Sequence, residues 1–133
     1  ISDSEKYLTY FIFDEPALNG FDCDIALNRD KYTKYKILDR KEIKTYPLSE
    51  ILNKFLPVNK TIDFMTIDAE GLDYNIIKSN DWNKYIPNYI LIESFSNGLE
   101  NIIKDPIYIY LTNLDYELVA KTYKTCIFKK KNI

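Results

Sequence analysis

Short unbroken apolar runs alternate along this chain with polar, turn-rich stretches, and that pattern predicts most of its elements. Tyr7-Leu8-Thr9-Tyr10-Phe11-Ile12-Phe13, rich in aromatic and β-branched residues, reads as a strand ended by Asp14-Glu15-Pro16. Residues 14–34 are polar, with Asn19-Gly20 as a tight turn, and predict a loop or hairpin. Lys41 to Tyr46 predicts a short extended piece. Ser49 stands where it would N-cap a helix from Glu50 to Leu56, with Ile51, Leu52, Phe55 and Leu56 on one face and Pro57 as the stop. Ile62–Ile67 then reads as a buried strand. Leu72 to Trp82 carries Leu72, Ile76, Ile77 and Trp82 at helical spacing, and Tyr89-Ile90-Leu91-Ile92 is a second apolar strand ending in Glu93.

Strand, helix, strand is a βαβ unit, and unbroken apolar runs are the pattern of strands covered on both faces. Further on, a helix is expected from Asn101 to Leu114, interrupted by Pro106. Two strands follow, Tyr116–Thr122 and Thr125–Lys129, turning near Tyr123-Lys124. The expected class is α/β, a parallel pair plus a C-terminal antiparallel hairpin with flanking helices. With 133 residues, no repeat and no linker-like stretch, residues 1–133 are expected to form a single domain.

Composition narrows the chemistry. Eighteen basic and 20 acidic residues leave a formal charge of −2, which argues against broad binding to nucleic acid or an anionic membrane. Lys129-Lys130-Lys131, the only basic run, is expected to be a solvated tail. Cys23 and Cys126 lack metal-type spacing and suggest reduced thiols. No signal-peptide or membrane-length apolar run is present, so a cytoplasmic location is expected. There is no histidine, which excludes Ser-His-Asp and Cys-His catalysis and a His-ligated zinc within this chain. Gly20, Gly71 and Gly98 are the only glycines, so no G-x-G or Walker-type cradle exists. Met65 is the sole methionine and the chain does not open on one, which predicts a portion of a longer product or a chain that has lost its start.

Candidate chemistry concentrates where the strand from Ile62 runs into Asp68-Ala69-Glu70-Gly71. In open α/β sheets ligands bind beyond the carboxyl ends of the strands. Parallel neighbours ending at one edge would set Asp68, Glu70 and Glu93 along a single rim, suited to general-base work or to sharing a hard cation such as Mg²⁺. Gly71 can take a positive φ and turn the chain into the helix. The competing reading is that Glu70 and Asp73 merely start that helix, because acids are favoured at helix N-termini. Asp22 and Asp24 are expected in a solvated loop. Tyr7, Tyr10, Tyr108 and Tyr110 read as packing rather than a sugar-stacking platform, and Trp82 as a core anchor at a helix end.

Three stretches together resemble the FkbM-type methyltransferases: Tyr-Pro-Leu-Ser-Glu-Ile-Leu from Tyr46, Ile-Asp-Phe-Met-Thr-Ile-Asp-Ala-Glu-Gly-Leu-Asp-Tyr from Ile62, and Ile-Leu-Ile-Glu ending at Glu93. The ending, Tyr116 to Lys121 followed by Cys126-Ile127-Phe128, is similar to that family's closing hairpin. The opening Ile1-Ser2-Asp3 looks like its segment after the third strand. The resemblance implies part of a class I Rossmann-like methyltransferase sheet, strands four to seven, and S-adenosylmethionine as cofactor. It also implies methylation of a hydroxyl on a sugar, glycan or related metabolite. Asp68 and Glu70 would occupy the D-x-E-G acids, Gly71 its turn glycine and Glu93 the acid ending strand five. Catalytic roles would then fall to Asp68, Glu70 and Glu93, and cofactor contacts to Asp68 and Gly71, with no metal.

The family's glycine-rich loop and its acid ending strand two have no counterpart here, so the chain is expected to supply the acceptor-side half of a site. In that sheet order strand one lies beside strand four. A missing N-terminal segment or a second copy is therefore expected to cover Ile62–Ile67, whose edge would otherwise be a pairing hazard. Two other functions remain open at this point: a non-catalytic remnant or assembly module that pairs through this strand, and a metal-dependent hydrolase on the carboxylate rim.

Overall fold

The structure, a computed structural model, describes residues 1–69, 71–94, 96 and 98–131. Two strands, β1 (Lys6–Phe13) and β2 (Ile37–Thr45), pair antiparallel from Lys6 opposite Thr45 to Phe13 opposite Ile37. Between them lie a 3-10 turn, Pro16–Leu18, and helix α1, Cys23–Tyr32. That helix corrects the loop expected over residues 14–34. Asn19-Gly20 is likewise not a hairpin turn: Gly20 and Phe11 exchange backbone hydrogen bonds of 2.9 and 3.3 Å. Helix α1 shows no apolar stripe, since Ile25 and Leu27 are both exposed and Ala26 alone is buried. Its ends and partners hold it instead. The Asp22 carboxylate accepts the Ile25 N–H at 2.8 Å, the Thr33 hydroxyl donates to the Arg29 carbonyl, and the Arg29 guanidinium donates to the Leu18 carbonyl. Asp22 and Asp24 thus start a helix rather than occupy a loop. Phe11, Phe13 and Ala26 form a small core here.

Helix α2 (Leu48–Phe55) starts two residues before the expected position, and Ser49 is not its cap. Pro47 occupies the cap position, so Ser49 falls inside the first turn. The missing cap comes from a distant residue. Ser79, which closes helix α3 (Asp73–Lys78), accepts the Leu48 N–H on its hydroxyl and the Ser49 N–H on its carbonyl. Helix α3 stops at Lys78, short of Trp82, and the Trp82 indole N–H reaches back to the Ile77 carbonyl at 3.0 Å.

Strands β3 (Phe64–Ile67) and β4 (Tyr89–Glu93) are parallel, as a βαβ unit requires, with Ile67 opposite Ile92. Helices α4 (Leu99–Ile102) and α5 (Pro106–Thr112) follow, then β5 (Tyr116–Lys121) and β6 (Thr125–Lys130). Pro106 begins α5 rather than interrupting one long helix: with Asp105 as N-cap it is proline at the first position, where its missing N–H costs nothing. The four-stranded sheet runs β3-β4-β6-β5, mixed parallel and antiparallel. Lys129 and Lys130 belong to β6, not to a solvated tail. Lys130 donates to the Leu114 carbonyl at 2.7 Å and lies over the Tyr116 ring.

One face of this sheet is packed. Ile67, Ile90, Ile92, Cys126, Phe128 and Tyr116 share it by register and join Ile76, Ile77, Ile107 and Leu111 from the helices. On the opposite face Phe64 is 65% and Tyr89 40% exposed, while Leu91 and Ile127 are half-buried. The expectation of strands covered on both faces is therefore met on one side only, because every helix contributing to the main core packs on the same side. Tyr110 and Tyr116 pack edge-on against Trp82, Tyr108 lies tilted against Phe128 and Tyr10 tilted against Phe21, whereas Tyr7 is exposed. Among the described residues no helix is long and apolar enough to cross a membrane.

Candidate functional site

The carboxyl ends of β3 and β4 hold the predicted acids. One residue beyond the last registered pair, Ile67 opposite Ile92, the two strands bring Asp68 and Glu93 to the same sheet edge. Asp68 is exposed and Glu93 is buried. Lys124 Nζ, on the β5–β6 turn, lies 3.6 Å from Glu93 Oε1. Glu70 lies outside the described residues.

The connection from β3 into α3 is built around Asp73. Its carboxylate accepts the Ala69 N–H at 3.1 Å on one oxygen and the Gly71 N–H at 3.2 Å on the other. Asp73 is buried by this arrangement, and Gly71 takes φ +95°, a backbone region that L side chains rarely enter. Asp73 does stand in the first turn of α3, as the helix-start reading has it, but its side chain caps no helix N–H and fixes the loop before the helix instead.

Two clefts open at this edge. The first, about 400 Å³, lies between the β1 region and β3–α3. Tyr10, Phe21, Met65, Leu72 and Ile76 make it apolar, and Asp68 is the one charged side chain among its described lining residues. The second, about 450 Å³, is lined by Gly71, Asp73 and Tyr74 from the α3 side and by Glu93, Ser94, Ser96 and Asp105 from the β4 side. Asp68 and Gly71 therefore border different clefts, as do Asp68 and Glu93. Among the described residues no three His, Cys, Asp or Glu side chains converge on a metal position.

Sequence reasoning missed Asp105. It is buried, and both the Ser94 and Ser96 hydroxyls donate to its Oδ2, at 2.5 and 2.6 Å, while Oδ1 accepts the Ile107 N–H at 2.8 Å. Burial alone would raise its pKa, but the hydrogen bonds from Ser94, Ser96 and the backbone of Ile107 and Tyr108 outweigh it and hold the carboxyl below its usual range. The Asp-Pro pair opening α5 was the available signal, an N-cap followed by proline.

The sequence matches the family described as Methyltransferase FkbM domain over residues 2–118. The chain belongs to the FkbM methyltransferase family. No curated protein and no solved structure matches it. The FkbM match spans β1 through the first half of β5, and so includes both carboxylate-bearing strand ends and the loops that Asp73 and Asp105 hold. Its mixed sheet with flanking helices agrees with the Rossmann-like fold that membership suggests.

Proposed function

We propose that residues 1–133 form one unit that carries the acceptor side of an S-adenosylmethionine-dependent methyltransferase site and O-methylates a sugar, glycan or related small metabolite. One observation carries this reading: adjacent parallel strands end in Asp68 and Glu93 at the carboxyl edge of a mixed sheet, with a cleft on either side of the loop between β3 and α3.

The apolar cleft fits part of the cofactor. Its volume lies within the roughly 300–1,000 Å³ of small-molecule sites. Aromatic and aliphatic walls suit a flat base, and a lone carboxylate at Asp68 suits a positively charged sulfonium. When bound, S-adenosylmethionine supplies an electrophilic methyl group. The chain's own task is then to orient an acceptor hydroxyl and take its proton. Asp68 or Glu70 is the proton acceptor in this reading, so the reacting hydroxyl lies at the rim beside Asp68, and Glu93, with the Ser94 and Ser96 side of the second cleft, holds the remainder of the acceptor. Gly71 shapes the loop dividing the two clefts.

The bare sheet face at Phe64 and Tyr89, and the outer edge of β3, support a further element of the proposal: another segment or a second copy covers them and completes the cofactor site. The same edge favours a second reading, an assembly module without catalysis.

Calorimetry with S-adenosylmethionine, on residues 1–133 and on any longer translated product that contains them, separates these. Binding by the longer product, with radiolabelled methyl transfer to a methyl pyranoside lost in Asp68→Asn, is expected. Absence of binding by both would leave the assembly module.

A further inference from the structure

A helix cap needs one oxygen, and Asp105 uses two. Oδ1 accepts the Ile107 N–H at the start of α5, which serine, threonine or asparagine would do as well. Oδ2 is turned toward the end of β4. It receives two hydroxyl protons, from Ser94 and Ser96, the residues through which the chain leaves β4 at the second cleft. Two short hydroxyl bonds to one ionised oxygen are strong, directional contacts. They tie α5 to the strand end that carries Glu93, across 9 and 11 positions of sequence.

The same segment is gripped from its other side. The Lys121 ammonium donates to the Ser94 carbonyl at 3.2 Å, and the Ser94 N–H donates to the Lys124 carbonyl at 2.7 Å. The Ser94 hydroxyl also receives the Ser96 N–H at 3.4 Å. Asp73 performs the matching task on the α3 side, where its two oxygens hold Ala69 and Gly71. Each wall of the second cleft is thus fixed by one buried carboxylate: Asp73 uses both oxygens on its loop, and Asp105 uses one on the end of β4 and one on the α5 cap.

We propose that Asp105 is a positioning residue of the acceptor site, whose Oδ2 clamps Ser94 and Ser96 so that the end of β4 forms a fixed wall of the cleft. The role in acceptor binding rests on the methyltransferase reading above; the clamp itself does not.

Asp105→Asn separates cap from clamp. Its amide oxygen keeps the Ile107 bond, while an NH₂ group replaces the oxygen that the two hydroxyls point at. Ser94→Ala/Ser96→Ala removes the donors and leaves the cap carboxylate untouched, which covers the case in which the asparagine variant does not fold. NMR amide exchange at position 94, whose N–H donates to the Lys124 carbonyl and loses no acceptor in either variant, is expected to quicken about tenfold in both, with Ile107 unchanged. With methyl α-D-glucopyranoside or methyl α-L-rhamnopyranoside as acceptor, KM for the pyranoside should rise about tenfold and KM for S-adenosylmethionine should stay constant. Unchanged exchange at position 94 would overturn the clamp. A lower melting temperature with both KM values unchanged would overturn the positioning role and leave a structural one. If the wild-type protein transfers no methyl group, the functional reading fails, and the exchange result still decides the clamp.

Discussion

The Asp73 carboxylate accepts the Gly71 amide at 3.2 Å, and with the Ala69 amide on its other oxygen it closes the turn that follows β3. Gly71 and Asp73 serve one geometry, since the positive φ of the glycine brings its N–H round to the carboxylate. An added Cβ at Gly71 would meet nothing within 4 Å, so Gly71→Ala acts through torsion alone. It should cost about 1–2 kcal/mol in chemical denaturation. Asp73→Ala should cost about 1–3 kcal/mol, through two lost hydrogen bonds. The pair should be less than additive, because either change frees the same turn.

Tyr116 is 1% exposed, and its hydroxyl donates to the Pro87 carbonyl at 2.6 Å, linking β5 to the segment that enters β4. Burial pushes the phenol well above its ordinary pKa. Tyr116→Phe keeps the ring contact with Trp82 but leaves a carbonyl without its partner. A loss of about 1–3 kcal/mol in urea unfolding, with an unchanged m-value, is expected.

What was legible in the sequence follows from where the driving force lies. The βαβ unit and the closing hairpin announce themselves because Ile90, Ile92, Cys126 and Phe128 are buried by continuous strand patterns. Helix α1 does not, because Asp22, Thr33 and Arg29 hold it through caps and side-chain bonds rather than through an apolar face. Ser49 misleads for a related reason: its role falls to Ser79, 30 residues later by the numbering, and no local pattern reports that. At the candidate site, Asp68 and Glu93 are readable as strand ends. Their separation into two clefts is not, since it depends on where β1 and the segment after β4 come to lie.

Asp105 gives the acid limb of stability a definite sign. Its folded carboxyl titrates below the usual 3.8 of the unfolded chain, so its contribution is complete above that value. It is lost as pH falls through the lower, folded pKa. Melting temperature followed from pH 6 downward should therefore decline more gently in Asp105→Asn than in the parent, and the two curves should converge at the acid end. Parallel curves would mean that the carboxylate does not titrate with folding.

The two thiols should differ sharply in reactivity. Cys23 is exposed at the first position of α1, whereas Cys126 is fully buried in β6, and burial raises its thiol pKa. The thiolate is the reactive form, so access and ionisation both protect Cys126. Iodoacetamide on the native protein should modify Cys23 alone, with Cys126 following only in denaturant, as intact-mass measurement would resolve.

Phe64 tests whether the bare sheet face is covered in the working protein. At 65% exposure it makes few contacts within this chain, so Phe64→Lys should change the stability of residues 1–133 by no more than about 0.5 kcal/mol. Were another segment or copy packed there, the same lysine would have to leave water or displace that partner. The cost should then rise to about 2 kcal/mol or more in any longer product that supplies the covering segment, roughly the value of burying a large apolar side chain. Denaturation of both lengths, with and without the substitution, gives that difference directly. Equal costs in the two would mean that this face stays open to solvent, and the site would have to be completed from elsewhere.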